Sequence, residues 1–192
     1  DTKVFNSNKA AATLAASSGN FDAADYSALV TIDGTATGNI QITGNAKANK
    51  IYAGDKGATL NGKAGNDTLT GGNGADIFIY EKASGNDLIQ NYGAGDKISL
   101  GSGAEITDAS TKNGVSTIKI GSNSITIKGS DDITFASDGM EMIYSGGIFT
   151  VNDTAKVYAS FNGTITLDAN VTIADATLAK RNITVQGSAA ND

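Results

Sequence analysis

The chain has 192 residues and a formal net charge of −6, and it contains neither cysteine nor histidine. These absences exclude disulfide bonds, thiolate and imidazole metal ligands, and the common nucleophile–base pairs of enzymes. The sequence also has no Walker-type phosphate loop, no basic patch and no apolar run of the roughly 18 residues that a membrane span needs. We therefore expect no catalytic activity, no nucleotide or nucleic acid partner and no membrane span.

Residues 1–43 are predicted to form an N-terminal β segment. Within it, residues 28–33 and 39–43 alternate between polar and apolar side chains as strands do, with glycines marking the turn between them. Residues 9–16 are rich in alanine and have helix propensity, but their similarity to a C-terminal segment favours a strand.

The segment 44–100 repeats with a period of nine residues, interrupted by a two-residue insertion at Tyr80 and Glu81. Each unit has a glycine-rich or polar beginning and an apolar residue at its eighth position. This pattern predicts a turn followed by a short strand whose eighth side chain points inward. One unit cannot bury that side chain alone, so we expect the units to stack into a solenoid. The eighth positions are Ile51, Leu60, Leu69, Phe78, Ile89 and Ile98.

The sixth position is a carboxylate in the last four units. If two units make one coil, alternate sixth positions lie along the same edge of the solenoid, 18 or 20 residues apart. Stacked carboxylates and turn carbonyls are the oxygen ligands that a hard cation such as calcium prefers. The alternative, that aspartate occurs here because it favours turns, remains open. The sixth positions are Asn49, Ala58, Asp67, Asp76, Asp87 and Asp96.

The pattern Gly-Gly-x-Gly-x-Asp-x-apolar-x resembles that of the RTX (repeat-in-toxin) calcium-binding β-roll. Units 62–70 and 71–79 match it closely, and 44–61 and 82–99 match it loosely. Residues 85–100 are similar to the way in which such rolls commonly end. The resemblance implies an all-β fold with a parallel β-roll over 44–100, calcium as the bound ion, and secretion. It does not specify function, because the family uses this roll in toxins, proteases, lipases, adhesins and surface layers.

The resemblance also implies which oxygens bind calcium. The first turn of a stacked pair supplies its first and third carbonyls, and the second turn supplies its second and fourth. One expected site combines the carboxylates of Asp67 and Asp87 with the carbonyls of Gly62, Ala64, Ala83 and Gly85. The other combines Asp76 and Asp96 with the carbonyls of Gly71, Asn73, Tyr92 and Ala94. Two weaker sites are Asn49 with Asp67, and Ala58 with Asp76, where Asp55 would supply the missing carboxylate.

Residues 101–151 are predicted to form an antiparallel β cap over the open end of the roll. Residues 115–120 and 124–128 alternate with period two, and Gly121-Ser-Asn reads as the hairpin connection between them. Residues 132–135, 140–144 and 147–151 continue as a meander. A solenoid needs such a cap because a bare end exposes strand edges and core.

Residues 152–192 resemble the beginning of the chain and are interpreted as the start of a second copy of the N-terminal module. Residues 164–167 align with 11–14, which favours a strand for both, and residues 183–192 align with 40–49 at an offset of 143. The sequence therefore ends inside the first turn of what would be a second roll. We interpret the chain as a processed form or fragment of a longer tandem array, since it also lacks an initial methionine and a signal peptide.

Three functions are compatible with these features. The leading hypothesis is a non-catalytic calcium-binding structural module of a secreted or cell-surface bacterial protein, such as an adhesin, surface layer or fibre, that folds and stiffens on extracellular calcium. A second is a subunit that assembles with copies of itself into filaments or a lattice through strand edges. A third is the repeat portion of a toxin or secreted enzyme. The composition, rich in Thr, Ser, Asn, Gly and Ala, is typical of an extracellular β protein.

Overall fold

The computed structural model describes residues 9–15, 19–137, 140–151, 163–167 and 183–186. Every regular element in these ranges is a β-strand, and none of the described residues forms a helix that could cross a membrane. The strands are β1 (Ala11–Thr13), β2 (Phe21–Asp22), β3 (Thr31–Asp33), β4 (Ile40–Thr43), β5 (Lys50–Tyr52), β6 (Ala58–Asn61), β7 (Thr68–Thr70), β8 (Ile77–Tyr80), β9 (Asn86–Gln90), β10 (Lys97–Leu100), β11 (Ile106–Lys112), β12 (Val115–Ile120), β13 (Asn123–Lys128), β14 (Ile133–Ser137), β15 (Met140–Ser145), β16 (Ile148–Val151), β17 (Gly163–Leu167) and β18 (Ile183–Gln186).

The strands form two sheets, and consecutive strands of the repeat alternate between them. The first sheet has the order β1-β3-β5-β7-β9-β13-β12-β11, and the second has the order β18-β17-β16-β15-β14-β10-β8-β6-β4-β2. From β1 to β10 all pairings within each sheet are parallel. Two nonapeptides therefore make one coil of a parallel β-solenoid, as the resemblance implied.

The core lies between the two sheets and is built by the eighth positions. In the first sheet Ile51 pairs with Leu69, and Leu69 pairs with Ile89. In the second sheet Leu60 pairs with Phe78, which pairs with Ile98. All six side chains are at most 2% exposed, which confirms that the nine-residue period marks the inward-facing positions.

The stack of parallel strands begins before residue 44. Ile32 of β3 pairs with Ile51, and Ile42 of β4 pairs with Leu60, so both extend the core columns of the roll. The alanine-rich segment forms β1, where buried Ala12 pairs with Ile32. Pairing with a neighbouring strand outweighs the helix propensity of these residues, and the strand interpretation is confirmed over Ala11–Thr13.

The cap strands pair antiparallel with one another, as predicted, and they divide between the two sheets of the roll. The antiparallel group β11–β13 continues the first sheet, with β13 parallel to β9. The antiparallel group β14–β16 continues the second sheet, with β14 parallel to β10. The physical reason is that the roll ends in two sheet edges, and each leaves backbone groups that need a partner. The hairpin connection between β12 and β13 is Gly121–Ser122, with Asn123 already in the strand.

The C-terminal strands continue the second sheet by parallel pairing of β16 with β17 and of β17 with β18. β18 covers the residues that align with β4, and both lie in the second sheet. Residues 164–167 are a strand, as predicted, but β17 lies in the second sheet while β1 lies in the first. The expected first turn of a second roll, at 187–192, lies outside the described residues.

Candidate metal centre

The turns of the roll form two rows, one leading into each sheet. We call residues 44–49, 62–67 and 82–87 the first turn row, because they lead into β5, β7 and β9. Residues 53–58, 71–76 and 91–96 form the second turn row, which leads into β6, β8 and β10. Strand pairing stacks equivalent positions within each row, so successive sixth residues lie above one another.

The four sixth-position aspartates are buried despite their charge. Asp67, Asp76, Asp87 and Asp96 are 1%, 0%, 4% and 3% exposed. Their burial follows from the strand alternation, because the sixth and eighth residues of a unit point to the same side of the chain. A buried carboxylate requires hydrogen-bond donors or a cation around it, since removal from water strongly disfavours its charge.

Each aspartate accepts a hydrogen bond from the backbone N–H of the sixth residue one coil below. In the first turn row, Asn49 N donates to Asp67 Oδ1 at 2.7 Å, and Asp67 N donates to Asp87 Oδ1 at 2.9 Å. In the second turn row, Ala58 N donates to Asp76 Oδ1 and Asp76 N donates to Asp96 Oδ1, both at 2.7 Å. The structure therefore brings Asp67 next to Asp87 and Asp76 next to Asp96.

The second carboxylate oxygens differ between the rows. Asp76 Oδ2 accepts from Gly72 N and Asp96 Oδ2 accepts from Gly93 N, both at 2.8 Å. Asp67 Oδ2 is buried and has no hydrogen-bond partner among the residues that the structure describes. A Cβ placed on Gly62 would lie 2.1 Å from this oxygen, so glycine is required for the carboxylate to fit against its own turn. The unpartnered oxygen is an acceptor in need of a positive ligand.

Burial raises the pKa of all four aspartates. It raises the pKa of Asp67 and Asp76 to about 6 and that of Asp87 to about 7, and it raises the pKa of Asp96 as well. Repulsion within the stacked pairs adds to burial, from Asp67 on Asp87 and from Asp96 on Asp76. The ion pairs of the described chain lie elsewhere, at Lys63–Glu81, Lys97–Glu141 and Lys119–Asp108. No lysine of these pairs neutralises the buried carboxylates.

The carbonyls expected at the first site belong to stacked turns of the first turn row. Gly62 is buried, Ala64 and Gly85 are half-buried, and Ala83 is exposed. Ala64 and Ala83 line an open cleft of about 390 Å³ together with Gly44 and Asn45 of the coil below. The Gly85 carbonyl already accepts a hydrogen bond from the Tyr80 hydroxyl. A carbonyl oxygen has two lone pairs, so this bond leaves one for a cation.

The carbonyls expected at the second site are partly covered by the cap. The Gly71 carbonyl accepts from Asn91 Nδ2 at 2.9 Å. Tyr92 is buried, with its ring centroid 6.0 Å from that of Phe78, and a Cβ on Gly129 would lie 2.3 Å from the Tyr92 carbonyl oxygen. Asn73 and Ala94 are exposed at the turn tips. The cap thus packs against the Tyr92 backbone of this turn row.

The residues of the two weaker expected sites make other contacts. Asn49 is 1% exposed, and its Nδ2 donates to the Leu29 carbonyl at 3.0 Å. Asp55 is exposed, and its Oδ1 accepts from Asn73 N at 3.2 Å and from Asn73 Nδ2 at 3.0 Å. Ala58 contributes its backbone N–H to Asp76 Oδ1. The side chains of Asn49 and Asp55 are therefore engaged in hydrogen bonds between coils.

Two contributors were missed by the sequence reasoning. Asn45 is buried and donates through Nδ2 to the carbonyls of Tyr26 and Leu29 at 2.9 and 2.8 Å. Tyr80 belongs to the two-residue insertion, and the repeat pattern predicts no role for its hydroxyl, which donates to the Gly85 carbonyl. The insertion could have indicated a structural role for Tyr80, because extra residues in a strict repeat need a structural reason. No sequence feature indicated the role of Asn45, because its hydrogen-bond partners lie 16 and 19 residues earlier in the chain.

The donor set fits calcium. Among the described residues no three acidic side chains converge on one point, so a cation here would draw most of its ligands from turn carbonyls, which suits a hard ion that takes six to eight oxygens. The unpartnered Asp67 oxygen and the paired buried carboxylates call for positive charge. The fold and these turns define a parallel β-solenoid whose stacked turns bring together paired buried carboxylates and backbone carbonyls.

A comparison with known protein families agrees with calcium as the ion that these turns suit. Residues 56–82 match a family model described as the RTX calcium-binding nonapeptide repeat (4 copies). The match and the parallel solenoid together fit the RTX β-roll, whose repeats bind calcium and occur in secreted bacterial proteins. No curated protein and no solved structure matches the chain.

Proposed function

We propose that two calcium ions bind in this roll, one in each turn row. The first site uses Asp67 and Asp87 with the carbonyls of Gly62, Ala64, Ala83 and Gly85. The second uses Asp76 and Asp96 with the carbonyls of Gly71, Asn73, Tyr92 and Ala94. The observation that carries the proposal is the burial of two stacked carboxylate pairs to 4% exposure or less, with no lysine of the described residues paired to them.

Calcium supplies the positive charge that these turns lack. The protein's part is to hold two carboxylates and several carbonyls in register, and strand pairing does this by fixing the vertical spacing of the turns. Without the ion the stacked carboxylates repel each other in a water-poor setting. Formation of the upper coils is therefore coupled to binding, as it is wherever the unfolded chain has no preformed site.

The function that this coupling supports best is that of a non-catalytic structural module in a secreted or cell-surface bacterial protein. Extracellular calcium modules bind at about 10⁻⁴ to 10⁻³ M, so such a roll is loose where calcium is scarce and rigid outside the cell. An adhesin, a surface layer or a fibre would each use a rigid repeat of this kind. The antiparallel strands that continue the two sheets beyond β9 and β10 provide the end cap that a solenoid requires.

The test is calcium binding to metal-stripped protein by isothermal titration calorimetry. The double variant Asp67→Asn and Asp76→Asn removes one carboxylate from each proposed site, and we expect it to lose at least about tenfold in affinity, or about 1.4 kcal/mol. Asp132→Asn is the matched control, because it makes the same chemical change at an exposed aspartate of the cap. Equal affinity of the double variant and the control would reject both sites.

Assembly with copies of the same chain is a second candidate, favoured by one observation. Strand β11, seven residues long, is the last described strand of the first sheet, and among the described residues it pairs on one side, with β12. Such an edge can accept a strand from another molecule. Light scattering of the calcium-loaded protein tests this idea, and a monomeric mass at every protein concentration would reject it.

A further inference from the structure

The buried polar side chains of the roll change character along the chain. Up to residue 61 they are neutral amides and hydroxyls, and from residue 67 to residue 96 they are carboxylates, with one serine among them. The neutral group is Thr37, Thr43, Asn45, Asn49 and Asn61, and the later group is Asp67, Asp76, Ser84, Asp87 and Asp96. The boundary lies between β6 and β7, inside a continuous pair of sheets.

In the lower coils, side-chain N–H and O–H groups occupy carbonyl oxygens that a cation would otherwise bind. The Leu29 carbonyl accepts from Asn45 Nδ2 at 2.8 Å and from Asn49 Nδ2 at 3.0 Å. Asn49 Oδ1 in turn accepts from Asn45 N at 2.8 Å. The side-chain amide of Asn49 therefore forms hydrogen bonds both within its own turn and with the turn below. Because the amide is neutral, it introduces no charge that a cation would have to neutralise.

The second turn row has a comparable arrangement. The Thr37 hydroxyl donates to the Gly34 carbonyl at 2.6 Å, and Thr37 is 4% exposed. One coil higher, the sixth position is Ala58, which has no side-chain oxygen. Asp55, at the tip of the same turn, is exposed and already accepts two hydrogen bonds from Asn73. The lower part of this row thus also lacks a buried carboxylate pair.

We infer that the roll has two zones: a calcium-independent base over residues 29–61, in which amide and hydroxyl donors replace the ion, and a calcium-dependent zone over residues 62–100. The base, residues 29–61, acts as the template on which residues 62–100 fold. Its top layer presents the N–H groups of Asn49 and Ala58 to the carboxylates of Asp67 and Asp76. It also offers the Asn49 carbonyl to Thr68 N at 2.8 Å. The coils above can add to this layer as calcium binds, without a separate nucleation step.

This inference rests on the proposed function, and hydrogen exchange separates the two. In metal-stripped wild-type protein we expect backbone amides of β3–β6 to be protected at least about tenfold more than those of β7–β10, and added calcium to raise the protection of β7–β10. The two-zone inference would be wrong if the amides of β3–β6 and β7–β10 were equally and weakly protected without calcium and gained protection together when calcium was added. That result would still be consistent with calcium binding. No response to calcium in any strand would overturn the proposed function itself.

A variant tests the role of the amide directly. Asn49→Asp removes the donor to the Leu29 carbonyl and places a carboxylate below Asp67. In metal-stripped protein we expect it to lose protection in β3–β6, and with calcium to regain it and bind three ions where the wild type binds two. Asn113→Asp is the control, since it makes the same change at the exposed tip of the β11–β12 hairpin. Protection and ion count that match the control would refute the inference, and the wild-type experiment decides it if Asn49→Asp does not fold.

Discussion

Asp87 Oδ1 accepts a hydrogen bond from the backbone N–H of Asp67 at 2.9 Å, although the two residues are 20 positions apart in the chain. Both side chains are buried, and the charge of Asp67 helps to raise the pKa of Asp87 to about 7. The same contact therefore joins two coils through a hydrogen bond and opposes their joining through charge. A cation between the turns removes the repulsion and keeps the hydrogen bond. This balance determines how Asp87→Asn and a change of pH affect the stability of the roll.

Asp87→Asn is expected to act in opposite directions with and without calcium. Without calcium it removes a buried charge and the repulsion from Asp67, so the melting temperature should rise. With calcium it removes a charged ligand, so the affinity should fall at least about tenfold, or about 1.4 kcal/mol. Thermal unfolding of metal-stripped and calcium-loaded protein measures both effects. A change of the same sign in the two conditions would show that Asp87 has only a structural role.

The calcium-free protein should become more stable on acidification from about pH 7.5 to about pH 5. Folding raises the pKa of Asp67 and Asp76 from 3.8 to about 6 and that of Asp87 to about 7, so the folded state binds more protons than the unfolded state between these values. This contribution is fully present below the unfolded pKa and is lost as the pH rises through 6 and 7. Urea unfolding of metal-stripped protein at both pH values measures it. A lower free energy of unfolding at the acidic pH would contradict the prediction.

Phe78→Ala should lower the free energy of unfolding of the calcium-loaded protein by about 3–5 kcal/mol. Phe78 is 1% exposed and lies in the core column between Leu60 and Ile98. Ile77→Ala is the control. The Ile77 side chain precedes Phe78 in the same strand, points to the other face of the sheet and is 41% exposed. Its effect should stay within about 1 kcal/mol. Similar losses at both positions would mean that the strand alternation is misassigned.

Gly85→Ala should destabilise the calcium-loaded roll by at least about 2 kcal/mol. Its φ is 103°, a backbone conformation that L side chains rarely adopt, and an added Cβ would lie 1.9 Å from the Gly65 carbonyl oxygen. Gly93→Ala is the control, since a Cβ there would meet nothing within 4 Å. Chemical denaturation of the two variants compares them. Equal stability would show that the turns are not stacked as closely as described.

The sequence predicts the roll well because its period is strict. A nine-residue unit sets which side chains point inward, and the pairing of Leu69 with Ile89 shows that the period survives the insertion at Tyr80. The stacking of Asp67 with Asp87 follows from the same spacing. These features are local patterns repeated at fixed intervals, so no knowledge of distant contacts is needed.

Features that depend on distant contacts could not be predicted in the same way. The division of the cap between two sheets depends on which roll edge each hairpin meets, and an alternating pattern such as that of β13 fits either edge. The role of Asn45 depends on carbonyls of the preceding coil, in a segment without the nine-residue period. The contact between Tyr80 and the Gly85 carbonyl depends on the local path of the inserted residues.

The most direct test of a calcium-coupled roll is circular dichroism of the metal-stripped chain during a calcium titration, with magnesium as the control ion. We predict a cooperative gain of β signal between about 10⁻⁴ and 10⁻³ M calcium and no comparable gain with magnesium, which prefers a smaller octahedral site with several waters. Because residues 29–61 are expected to be folded already, the signal should start from a partial β content. A spectrum that is fully β before calcium is added and unchanged by it would contradict the account, and the buried aspartates would then serve as turn residues.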